Sequence, residues 1–173
     1  MNRINVIVEE TLSGIPISDA DTKLQIPPLS LEKRAKNYAL KVLQYLNKDR
    51  WDLSVFFCGN ESIKKLNLLY RKKNEATDVL SFALGETRRG RFLPGDIAIS
   101  LEALAENAVF FKVPQDEELR RLLIHGILHL DGMDHKSNMD YKANIEHKNN
   151  KEAEPMLQLQ EKILANLAGE RIL

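Results

Sequence analysis

"LRRLLIHGILHL", residues 119–130, is apolar around most of its circumference once past Arg121. A helix of that kind keeps no solvent-facing stripe, so other elements must cover it. Pro114 and the acids Asp116, Glu117 and Glu118 precede it. They mark its start, where proline fits the first turn and negative charge suits the N-terminal dipole. The segment also carries His125 and His129. These lie four residues apart, hence on one face and one turn apart. Buried imidazoles need partners, because an unpaired buried polar group is costly.

The elements that would cover this helix are legible on either side. "RINVIVEE" (3–10) and "WDLSVFFC" (51–58) read as strands, as do "TDVLSFAL" (77–84) and "DIAIS" (96–100). Ser30 is expected to cap a helix over 31–47. "ESIKKLNLLYRKK" (61–73) reads as a second helix, "LEALAENAVFFK" (101–112) as a third, and 153–168 as the last, stopped near Gly169. Pro94 and Gly95 in "LPGD" predict a type II turn. The polar stretches 13–30 and 136–152 read as loops. Strands mixed with helices imply an α/β fold: one domain over 1–173, a small mixed sheet of about four strands, and the histidine helix towards the C-terminal half.

A chain of 173 residues can bury roughly 70% of its unfolded surface and needs no disulfide staple. Its one cysteine, Cys58, ends an apolar run and reads as a small buried hydrophobe. A lone cysteine, the lack of a signal-like start and the lack of a membrane-length apolar run lead us to expect a cytoplasmic protein with no membrane partner. Lys plus Arg balance Asp plus Glu, 25 to 25, so no global charge points to nucleic acid. Local basic clusters do occur, in "KKLNLLYRKK" (64–73) and "RRGR" (88–91). Charge alone makes each a solvated face as readily as a nucleic-acid contact.

The histidine spacing suggests a metal. Gly132 follows His129 by three residues and can take the left-handed conformation that ends a helix. His135 would then return towards His125 and His129. Three neutral imidazoles with a fourth position open form a catalytic zinc arrangement. The plainer reading of a single histidine, a hydrogen-bonded core residue, does not account for three at this spacing. His147 reads as a solvated loop residue. The spacing also fits the metzincin pattern H-E-x-x-H-x-x-G-x-x-H, except that Gly126 stands where those proteases carry their general base. The metal's Lewis acidity would survive that change, but the protease's proton-transfer group would not.

At "HGILHLDGMDH" (125–135) the chain resembles the YbeY family, whose motif is H-G-x-L-H-L-x-G-Y-D-H. "YRKKNEATDVLSF" (70–82) and Gly95-Asp96-Ile97 agree with two further motifs of that family, and 152–156 agrees weakly. Asp131 and Met133 depart from the pattern, and neither is a ligand position. The resemblance implies a single-strand-specific endoribonuclease that matures the 3′ end of 16S rRNA and acts in ribosome quality control. It implies one Zn²⁺ per chain on His125, His129 and His135, with catalytic roles for Arg71 and His125. Its partners would be single-stranded rRNA and the small ribosomal subunit. Lys64, Lys65, Lys72 and Lys73 flank Arg71 and would track the RNA backbone. Without the resemblance, Arg71 reads as a charge favoured by a helix C-terminus. Asp134 reads equally as an imidazole-orienting or a capping residue. Two other readings stay open: a non-catalytic, zinc-stabilised RNA-binding assembly factor, and a zinc peptidase, which Gly126 disfavours. Trp51, Phe56, Phe57 and Phe82 are expected to pack in the core.

Overall fold

In "WDLSVFFC" the residues alternate in burial up to Phe57: Trp51, Leu53, Val55 and Phe57 are buried, while Asp52, Ser54 and Phe56 are only partly so. That period of two is a strand whose faces meet different surroundings. It is the second strand of the fold. The structure, a computed structural model, describes residues 1–10, 12, 28–133 and 155–173. Along the chain these form β1 (Arg3–Val8), α1 (Pro28–Tyr45), β2 (Trp51–Cys58), α2 (Asn60–Arg71), β3 (Val79–Arg88), β4 (Arg91–Ser100), α3 (Leu101–Phe111), α4 (Gln115–Leu130) and α5 (Pro155–Asn166).

The sheet order is β1-β2-β4-β3. β1 and β4 both run parallel to β2, and β3 runs antiparallel to β4. This is the small mixed sheet expected from the sequence. One face carries the main core: Leu53, Val55, Phe57, Ile97 and Ile99 pack with Val42 of α1, Leu123 and Ile127 of α4, and Ile163 of α5. The other face is covered by α2, where Ile63 and Leu66 meet Cys58, Leu80 and Ala98, with Phe56 and Phe82 alongside. Cys58 is fully buried, as expected, and desolvation pushes its thiol up to about 12. Among the described residues no helix is long and apolar enough to cross a membrane.

Three expectations need correction. First, α1 begins at Pro28, so Ser30 lies in its first turn and not at the N-cap; a proline there is already preset for helical φ. Second, α2 stops at Arg71 because Lys72 takes the left-handed conformation, φ 61°, and its N–H reaches back to the carbonyls of Asn67 and Leu68. Third, Pro94 and Gly95 form no turn, since both lie inside β4. The pairing of β4 with β2 shifts between Trp51 and Leu53, and its pairing with β3 shifts between Ala83 and Glu86. A proline cannot donate to a ladder, and these two irregularities flank it where a donor would be missed. The hairpin turn is instead Arg89-Gly90, both at positive φ (49° and 72°), the pattern of a two-residue primed turn.

Candidate metal centre

α4 packs closely on the sheet at Gly126. A Cβ built on Gly126 would stand 2.9 Å from Cδ1 and Cγ2 of Ile97. The glycine is therefore explained by packing: a side chain at 126 would force the Ile97 side chain or the helix itself to shift. The glutamate that a metzincin carries at this position has no room here.

α4 ends in a Schellman motif. Gly132 sits at φ 85°, its N–H donates to the carbonyl of His129, and the Met133 N–H donates to the carbonyl of Leu128. Met133 packs against the main core, the apolar contact that accompanies this motif. Asp131 pairs with Lys48 at 2.5 Å. The two departures from the family pattern thus each have a local partner. The helix thus ends, as expected, at Gly132, three residues before His135. His135 itself, Asp134, His147 and the 136–152 segment lie outside the described residues.

His125 is buried and His129 is half-buried. Their Nε2 atoms face each other at 3.1 Å, with the rings nearly perpendicular at 83°. Two nitrogens bound to one tetrahedral zinc at 2.0–2.1 Å would be about 3.3 Å apart. The pair therefore has close to the spacing of two ligands of one ion. On its other side, His125 Nδ1 lies 3.0 Å from Oε1 of Gln160, a fully buried residue of α5. The Gln160 amide nitrogen donates to Glu161 Oε1 at 3.4 Å. Glu161 in turn accepts from Arg121 Nε, and Arg121 also holds Glu117 and Glu118. With Nδ1 donating to Gln160, Nε2 of neutral His125 is an acceptor. A proton on His129 Nε2, or a cation in its place, must fill the gap between the two nitrogens. The donor set thus fits a divalent metal, though among the described residues no three ligating side chains converge.

The second motif and α4 contact adjacent residues of β3 from opposite faces. Phe82 carries the ring of Tyr70 at 4.9 Å, while the preceding residue, Ser81, donates to the Gly126 carbonyl at 3.4 Å. Successive strand residues point to opposite faces. So the Tyr70-Arg71 end of α2 and the His125 turn of α4 are sewn to adjacent residues of one edge strand. Arg71 is exposed at that helix end. The described contacts bring His125 and His129 together but do not join Arg71 to them.

Of the flanking lysines, Lys65, Lys72 and Lys73 are exposed and Lys64 is half-buried. Lys72 Nζ caps the Leu69 carbonyl at 3.1 Å, and Lys73 approaches Glu75 at 4.0 Å. Trp51 and Phe57 are core residues as expected. Phe56 and Phe82 are only partly buried on the α2 face. Gln160 escaped the sequence reading. The usable signal was a lone amide at helical spacing among Met156, Ile163 and Leu164, all of which are buried.

A family model described as Endoribonuclease YbeY matches residues 16–146. A Treponema denticola protein named Endoribonuclease YbeY is 47% identical over 114 residues, 62% of this chain and 74% of its own length. A Borrelia hermsii protein of the same name is 43% identical over 131 residues, 74% of this chain and 80% of its own. The solution structure of the Thermotoga maritima protein TM1509 superposes with a TM-score of 0.58 at 27% identity, covering 96% of this chain and 89% of that one.

Proposed function

The chain belongs to the YbeY endoribonuclease family, and from that premise we propose that it is a zinc-dependent endoribonuclease cutting single-stranded RNA. Its task is late processing of the 16S rRNA 3′ end and ribosome quality control in the cytoplasm, on the small ribosomal subunit. The observation that carries the chemistry is the pair of Nε2 atoms 3.1 Å apart, with His125 already oriented by Gln160. His125, His129 and His135 would hold the ion. When bound, a zinc ion supplies Lewis acidity against the negative charge that builds on phosphate oxygens during phosphodiester cleavage. Arg71 grips the scissile phosphate with its planar fork. Lys64, Lys65, Lys72 and Lys73 follow the flanking backbone. Ser81 and Phe82 fasten the two halves of the site to one strand, which supports this division of labour.

The test is single-turnover cleavage of a defined single-stranded RNA, with zinc content measured for each protein. Wild type should hold one zinc per chain and cut. His129→Ala should lose most of the metal and the cleavage, while His147→Ala keeps both. Full zinc occupancy in His129→Ala would remove the ligand assignment. A wild type that binds zinc and RNA without cutting would favour the assembly-factor reading instead.

A further inference from the structure

Gln160 is 1% exposed, on a helix contributed by a distant part of the chain, and its side chain ends on the imidazole of His125. A glutamine is seldom this buried unless its amide is used. Both ends of this amide have partners, and they fix which way it points. The Glu161 carboxylate can only accept, so it takes the amide N–H of Gln160. The amide oxygen is then the atom that faces His125 Nδ1, and an oxygen there can only be donated to. Glu161 is itself steadied by Arg121, which holds two further carboxylates on α4. Orientation therefore passes from Arg121 through Glu161 and Gln160 to one ring nitrogen of His125.

We infer that Gln160 is a positioning residue: its amide oxygen holds His125 as the Nδ1–H tautomer, which reserves the Nε2 lone pair for a divalent cation. Free imidazole has no such preference fixed for it, and the wrong tautomer places a proton where a ligand lone pair is needed. A hydrogen bond on the far nitrogen also raises ligand basicity and locks the ring plane. This inference rests on the metal-centre reading above, and deepens it by naming a residue outside all three family motifs. A merely structural glutamine would fill the same space and satisfy itself without setting the ring's proton.

Two variants and two readouts test it. Gln160→Met keeps the length and burial but removes the acceptor. Gln160→Glu keeps an acceptor at the same place. Zn²⁺ affinity is measured by competition with a chromophoric chelator. The imidazole tautomer is read from ¹⁵N chemical shifts of the metal-free protein at fixed pH, with thermal unfolding as a check on folding. Gln160→Met should bind zinc about 10–100-fold more weakly, the usual loss for such a partner. Its His125 should no longer hold Nδ1–H alone. Gln160→Glu trades its donor to Glu161 for a second carboxylate but should keep the Nδ1–H form. Wild-type zinc affinity in Gln160→Met, or loss of the Nδ1–H form in Gln160→Glu, would overturn the inference while leaving the metal centre intact. A wild type with no zinc affinity would overturn the metal centre and this inference together.

Discussion

Gly126 of α4 and Ile97 of β4 approach so closely that a Cβ on the glycine would lie 2.9 Å from two carbons of the isoleucine. Gly126→Ala must then displace the Ile97 side chain, the helix or the strand. Overpacking of this kind typically destabilises by about 1–3 kcal/mol. In an Ile97→Ala background the added methyl has somewhere to go, so its further effect should fall close to zero. Denaturant unfolding of the four proteins in this cycle checks it. Additive effects would show that the contact is not what excludes a side chain at 126.

Gly132 should be intolerant for a different reason. Among the described residues nothing lies within 4 Å of a Cβ built there, but its φ is +85°. An L-residue in the left-handed region is disfavoured by about 1–2 kcal/mol. Gly132→Ala should lower the melting temperature and, by loosening the turn ahead of His135, weaken zinc binding. Gly132→Asn should be milder, because asparagine tolerates this conformation. Equal stability of wild type and Gly132→Ala would show that the turn can re-form without a left-handed residue.

Glu118 supplies a pH dependence. It is fully buried, and desolvation raises its pKa against the opposing pull of Arg121, with Asp78 and Glu117 adding to the rise. A carboxyl whose folded pKa exceeds its unfolded one contributes stability fully below the unfolded value, about 4.3, and loses it as pH climbs through the folded value. Glu118→Gln removes that loss, and Arg121 keeps Glu117 and Glu161. The stability of Glu118→Gln relative to wild type should therefore rise between pH 4 and pH 7.5. Urea unfolding at both pH values decides it, and a flat or falling difference would contradict the burial argument.

Arg71 and Lys72 are neighbours that should fail differently. Arg71→Lys keeps the charge but loses the fork, so cleavage should slow by about 10²–10³ at saturating enzyme with zinc content unchanged. Lys72→Gly removes a charge while suiting the left-handed helix end at φ 61°. It should weaken RNA affinity and flatten its salt dependence, with little change in the cleavage step. An Arg71→Lys protein that cleaves at the wild-type rate would reduce Arg71 to a helix-end charge.

The histidine helix, its sealing by neighbours and its glycine exit were all readable in the sequence, because each depends on local spacing. The left-handed Gly132 needed only the three-residue interval after His129. What escaped was non-local. Pro94-Gly95 looks like a turn until one knows that both flanking ladders slip beside it, and that a Cβ at Gly95 would strike the Phe82 carbonyl at 1.9 Å. Arg89-Gly90 stands out in the sequence only as charge, although it is the hairpin turn. Gln160 could be linked to His125 only by folding, since 35 residues separate them. Phe82 packs against the smaller core, as its place in an apolar strand predicts, but its second use as a seat for Tyr70 is a contact between distant elements that the sequence does not show.

The slip between Ala83 and Glu86 divides the β3–β4 hairpin into an inner arm, which carries Ser81 and Phe82, and an outer arm ending at the exposed Arg89-Gly90 tip. A one-residue shift in the inner arm would exchange the two faces, turning Ser81 towards Tyr70 and Phe82 towards α4. The outer arm is insulated from that penalty, because the irregularity absorbs a change in length before it reaches Ala83. The tip is thus a graft point: a reporter peptide or an affinity tag inserted after Arg89 would lengthen an arm that the irregularity separates from Ser81 and Phe82.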